Sequence, residues 1–308
     1  ERKRYIKLAR EMKNNYKIIF FGNPDFAVSA LESLVKGQYQ IVGVITSPDK
    51  PAGRKQIITP PPVKVSAQKL GLEVYQPEDK TELSGIIKKL QPDLAVVAAF
   101  GMIFPKEILT IPKYGFINLH PSLLPKYRGP TPIQTAILNG DEQTGVTLYL
   151  MDEETDHGPI LAQRELEIHN TDYLLLSTKL AEMGAELLIE TLPKYIEGKI
   201  TPPPASPGEA WRAGLPQDES RATYTKKFKT EDAYIEPVDL EKAEQEGGQI
   251  ALEIDRKIRA LNPEPGVFTL SPLKGGLKRI KLLAAKIADG KLKITKIQVE
   301  GKKPTVYN

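Results

Sequence analysis

Apolar residues recur along this chain in two alternating patterns, unbroken runs of four or five and stripes spaced three to four apart. In residues 1–15, Tyr5, Leu8 and Met12 fall at i, i+3 and i+7 on a basic background, which predicts a basic helix with a weak apolar stripe. Ile18, Ile19, Phe20 and Phe21 then stand side by side. A run that is apolar on both faces predicts a buried parallel strand, here Lys17–Gly22, closed by the turn Gly22-Asn-Pro-Asp25. A helical stripe over 26–36 and a second strand over 41–45 follow. Beyond a polar loop over 47–62 come helices over 63–70 and 81–90 and a third apolar strand, Leu94–Ala98. Strand and helix in alternation predict an α/β fold, a Rossmann-like, doubly wound, mostly parallel sheet whose ligands sit beyond the carboxyl ends of its strands.

The second half continues with β-rich runs at 115–119, 145–150 and 159–168 and a long amphipathic helix over 174–195. The pattern breaks at Thr201-Pro-Pro-Pro-Ala-Ser-Pro-Gly, which reads as a stiff linker. After it come a helix over 251–261, a stop at Asn262-Pro-Glu-Pro-Gly266, and short alternating runs at 267–270, 279–283 and 291–297 typical of a small antiparallel unit. The expected organisation is a basic extension (1–16), an α/β domain (17–201), a linker (202–229) and a small C-terminal β domain (230–308), with no internal repeat.

With 308 residues, 40% hydrophobic, the chain can bury at least one full-sized core. It has no cysteine and three histidines, which removes disulfides, thiolate nucleophiles, iron–sulfur clusters and cysteine zinc sites, and no metal is expected. Its apolar runs are too short to span a bilayer, so a cytoplasmic location is the default expectation, and a monomer is expected separately. The net charge of +4 conceals a division: residues 1–17 carry +5, residues 273–308 carry +8, and the middle carries −9. Two basic ends on an acidic body suit either a polyanionic partner or plain solvated faces.

The densest group of special residues is 118–129. In an extended chain Asn118 and His120 face the same way, so an amide donor for a developing oxyanion would stand beside an imidazole able to move a proton near neutral pH. Such a histidine needs a carboxylate partner, and Asp156, in Met151-Asp-Glu-Glu-Thr-Asp-His-Gly158, is the best candidate. By spacing alone, a lone histidine satisfied at a strand end explains the pattern as well.

Residues 17–200 resemble the formyltransferase family that uses 10-formyltetrahydrofolate. The motifs are Asn118-Leu-His120, Ser122-Leu-Leu-Pro125 and Asp156-His-Gly158. Three further segments, Pro48–Arg54, Arg128-Gly-Pro-Thr-Pro-Ile-Gln134 and 258–266, are most similar to the branch acting on initiator methionyl-tRNA. The resemblance implies catalysis by Asn118, His120 and Asp156. It places the folate donor against Ser122, Leu123, Leu124 and Pro125 and the loop backbone of Asp152, Glu153, Glu154, Thr155 and Asp156. It also puts Lys50, Arg54 and Lys55 at the acceptor end of the tRNA. In the C-terminal domain, Lys278, Arg279 and Lys281 would track phosphates, and the short chain between strands implies a shortened OB-like barrel. His157 stands where the family commonly has threonine. Competing expectations are a relative acting on a small amine such as an amino sugar, a hydrolase of the same donor, and a binding protein without activity. Gly22-Asn-Pro-Asp25 lacks Gly-x-Gly-x-x-Gly, so a dinucleotide site is not expected there.

Overall fold

The computed structural model describes residues 16–52, 56–200, 217–273 and 276–306. The expected helix over 1–15, the proline run from Thr201, Arg54, Lys55 and Trp211 lie outside those residues. The chain divides into two compact units, one made of residues 1–128, 145–166 and 177–224, the other of 129–144, 167–176 and 225–308.

The elements begin β1 (Lys17–Gly22), α1 (Asp25–Lys36), β2 (Gln40–Ile45), β3 (Lys50–Ala52), β4 (Ile57–Thr59), α2 (Pro62–Lys69), β5 (Val74–Tyr75), α3 (Lys80–Leu90), β6 (Leu94–Ala98), α4 (Lys106–Leu109) and β7 (Phe116–His120). They continue with α5 (Pro132–Asn139), β8 (Gln143–Leu150), β9 (Ile160–Glu167) and α6 (Tyr173–Ile196). Seven strands form one sheet in the order β5-β2-β1-β6-β7-β8-β9, parallel from β5 to β7, with β8 antiparallel to β7. Ile18 to Phe21 are fully buried, as a strand covered on both faces must be. On one face Phe21 meets Phe100, Phe104 and Phe116 with ring centroids 5.4–5.5 Å away, and Leu83 and Ile87 of α3 join the same cluster. Helix α3 starts where the Asp79 carboxylate accepts from the backbone N–H groups of Thr81 and Glu82, a cap contributing about 1 kcal/mol.

Asn23 follows β1 directly. Its side chain accepts from Ser47 N after β2 (2.7 Å) and donates to Phe100 O after β6 (3.0 Å), so one amide joins the carboxyl ends of three neighbouring strands. The segment 47–62, expected as loop, holds the short antiparallel pair β3–β4, with Pro51 opposite Ile58. Three-residue strands with both Ile57 and Ile58 exposed leave no alternation to detect.

The second unit contains α5, α7 (Pro237–Gln245), α8 (Gln249–Leu261), β10 (Phe268–Leu273), β11 (Gly276–Ala288), β12 (Lys291–Val299) and β13 (Thr305–Val306). Its four strands form an antiparallel sheet in chain order, with β11 turning into β12 at Asp289-Gly290, both at positive φ. Among the described residues, no helix is long and apolar enough to cross a membrane.

Candidate active site

All five residues of β7 are buried, and alternation places Asn118 and His120 on one face and Leu119 on the other. Leu119 packs so closely on Gly184 of α6 that a Cβ there would lie 2.6 Å from its Cδ1. The β7–β8 register sets Asn118 opposite Tyr149 and His120 opposite Thr147. Asn118 Nδ2 donates to the Tyr149 hydroxyl (2.8 Å), which donates to Asp156 Oδ1 (2.8 Å). The same carboxylate oxygen lies 3.6 Å from His120 Nδ1, while His120 Nε2 lies 3.0 Å from the carbonyl of Tyr127. A carbonyl only accepts, so this contact assigns the ring proton to Nε2 and leaves Nδ1 facing Asp156. The carbonyl therefore sets the tautomer. Burial, and after it the charge of Asp156, hold the Tyr149 phenol well above its ordinary pKa, as a neutral donor. Among the described residues, buried Asn118 Oδ1 has no hydrogen-bond partner.

Asp156 sits at φ +50° in the loop after β8. Asp152 braces that loop by accepting from Glu154 N (3.0 Å) and contacting His157 Nδ1 (2.7 Å). Gly158 is fixed by contact: an added Cβ would fall 1.7 Å from Leu150 O. The loop is also gripped from a distant segment. Gln217 Nε2 donates to the carbonyls of Asp156 (3.0 Å) and Gly158 (2.9 Å), and its Oε1 accepts from Arg128 Nη2 (2.7 Å) and Nε (3.1 Å). Arg128, fully buried, forks onto Glu219 through Nη1 (2.9 Å) and Nη2 (2.6 Å). Its backbone N–H reaches Thr223 O (2.8 Å). Burial opposes the Arg128 charge, but the bonds to Glu219 prevail and hold its pKa up. In return, Arg128 holds the Glu219 carboxyl below its usual range. Residues 217–224, expected as part of a linker, thus form a strap over the first unit.

The other expected residues fall in four places. At the exit of β7, Ser122 and Leu124 are buried, and the Ser122 hydroxyl donates to Lys126 O (2.6 Å), closing a turn. Thr147 Oγ1 donates to Ser122 O (2.6 Å) and accepts from Leu124 N (3.1 Å). Leu123 packs on Gly145, and Pro125 is half-buried. Glu153, Glu154 and Thr155 are exposed on the loop that ends at Asp156. Lys50 is exposed on β3. On β11, Arg279 and Lys281 share a face and Lys278 takes the other, and the Arg279 guanidinium lies 3.5 Å from the Phe268 ring centroid. His169 is exposed beside Glu167. Among the described residues there is no cluster of metal-ligating side chains.

Tyr149 and Gln217 were not anticipated. A tyrosine on an inward-facing β position signals a buried hydroxyl in need of partners, whereas nothing local marks Gln217.

Residues 16–192 match the formyl transferase family. Methionyl-tRNA formyltransferase of Chloroflexus aurantiacus is 43% identical over 277 residues, 89% of this chain and 82% of its own. That of Caldicellulosiruptor saccharolyticus is 40% identical over 92% of each. HypX of Aquifex aeolicus, solved in complex with tetrahydrofolic acid, superposes with a TM-score of 0.62 at 17% identity, over 94% of this chain and 45% of that longer one, a likeness of fold. The chain therefore belongs to the methionyl-tRNA formyltransferases, within the formyl transferase family.

Proposed function

We propose that this chain transfers the formyl group of 10-formyltetrahydrofolate to the α-amino group of methionine esterified to initiator tRNA, giving N-formylmethionyl-tRNA for translation initiation, and that Asn118, His120 and Asp156 serve the reacting carbon. The observation that carries the reading is the chain of contacts joining amide, phenol, carboxylate and imidazole at the end of β7, in a chain with these relatives. In the net reaction a bond forms between the amine nitrogen and the formyl carbon, the bond from that carbon to N10 of the donor breaks, the amine gives up a proton and N10 gains one. Asn118 has one Nδ2 hydrogen beyond the one given to Tyr149, and donates it to the oxyanion. His120, protonated at Nδ1 against Asp156, adds positive charge there and passes protons. The turn Ser122–Pro125 and the backbone of 152–156 offer the donor a wall of hydrogen-bonding groups beside these residues. Lys50, Arg54 and Lys55, with Lys278, Arg279 and Lys281, supply the cationic contacts to the tRNA.

The test supplies 10-formyltetrahydrofolate with charged or uncharged initiator tRNA and follows N-formylation. Product is expected on charged methionyl-tRNA alone. Formylation of a free amino sugar with none of the charged tRNA would overturn the reading.

A further inference from the structure

Asn118 can serve an oxyanion only if its nitrogen, and not its oxygen, faces the formyl group. We infer that Tyr149 is the positioning residue that sets this orientation, an inference that rests on the function proposed above. A phenol has a single hydrogen, and Asp156 Oδ1, 2.8 Å away, is a carboxylate oxygen that accepts. The Tyr149 hydroxyl therefore gives its hydrogen to Asp156 and meets Asn118 as an acceptor. Only Nδ2 suits that contact, because a flipped amide would set Oδ1 against the lone pairs of the phenol oxygen.

Nothing else among the described residues tells the two ends of the amide apart. Asn118 Oδ1 receives no hydrogen bond, although it is buried, and the residue as a whole is 9% exposed. An orientation chosen for local satisfaction would give that oxygen a donor. Here the phenol imposes the arrangement, and Asp156, which the site uses for His120, is also the anchor that polarises the phenol. One carboxylate oxygen thus governs both the imidazole and, through Tyr149, the direction of the amide.

The test is Tyr149→Phe, which keeps the ring and removes the hydroxyl, measured alone and in an Asn118→Ala background by single-turnover formylation of methionyl-tRNA. Tyr149→Phe is expected to lower the rate at saturation at least about tenfold, short of the 10²–10³ typical for complete loss of one oxyanion donor, with KM for both substrates within about twofold. In the Asn118→Ala background the added substitution is expected to change the rate less than about threefold, because the group it acts through is gone. A rate within twofold of the unsubstituted enzyme, or an undiminished tenfold loss in that background, overturns the inference. A second readout is independent of turnover. In asparagine-15N-labelled full-length protein, the side-chain amide signal that disappears in Asn118→Ala is expected to show slowed hydrogen exchange, lost in Tyr149→Phe, and equal exchange in both proteins overturns the inference. Failure of the unsubstituted enzyme to formylate methionyl-tRNA overturns the proposed function and leaves this second readout standing.

Discussion

Replacing Gln217 with methionine tests whether the strap holds the acidic loop in place. Methionine nearly conserves the side-chain volume, so little cavity is created and the polar losses dominate. Two bonds to the carbonyls of Asp156 and Gly158 disappear at about 1 kcal/mol each, and the Arg128 guanidinium loses an acceptor at about 1.5–3 kcal/mol. The sum, about 3.5–5 kcal/mol, corresponds to a fall in Tm of about 7–10 °C at roughly 2 °C per kcal/mol for a chain of this size. Calorimetry reads that fall in the transition of the first unit. Because the two carbonyls flank His157, loss of the clamp also frees Asp156 to drift from His120, and a displacement near 1 Å costs about 10² in rate. Steady-state formylation is therefore expected to show a lower kcat with an unchanged KM for methionyl-tRNA. A fall in Tm below about 2 °C together with a kcat within twofold of the unsubstituted enzyme would refute the clamp.

Three further outcomes test the proposed function and the pairing of Arg128 with Glu219. His120→Ala should abolish turnover while leaving the affinity for methionyl-tRNA nearly intact, and equal activity of the two proteins in a formylation assay would remove His120 from the mechanism. Arg54→Ala should raise KM for the tRNA and lower the slope of log affinity against log salt by about one, as for the loss of one phosphate contact, and an unchanged slope in filter binding at graded salt would count against that role. Glu219 has its carboxyl held below its usual range by Arg128, so its contribution to stability is present above the unfolded value of about 4.3 and is lost as pH falls through the lower folded value. The difference in Tm between the unsubstituted protein and Glu219→Gln should therefore be largest near neutrality and shrink below about pH 4, and a difference that grows on acidification would contradict the pairing.

Long-period features of the fold were legible and short or distant ones were not. Four adjacent apolar residues at 18–21 specify a strand buried on both faces, and the stripe beginning near residue 174 specifies α6, because each pattern repeats often enough to be read. The pair β3–β4 carries too few residues for a period. Asn118 and His120 could be placed on one face by counting in twos, and Asp156 stood out at the end of an acidic loop just after a strand, yet the phenol between them was missed. Tyr149 looks like any inward residue of β8 until the register sets it opposite Asn118. Gln217 acts across 59 to 89 residues of intervening chain, on carbonyls and a guanidinium, and local sequence holds no trace of such partners.

The strap has a consequence for the order in which this protein is made. Every strand of the large sheet has been synthesised by residue 167, and the family match ends at residue 192, but the residues that grip the acidic loop begin at 217. A nascent chain that has reached only residue 200 therefore contains Asn118, His120 and Asp156 without the clamp that fixes the last of them. Synthesis from the N-terminus therefore supplies all the residues of the sheet before those that clamp Asp156, and the contacts of the acidic loop are complete only when a late, otherwise inconspicuous stretch of chain joins them.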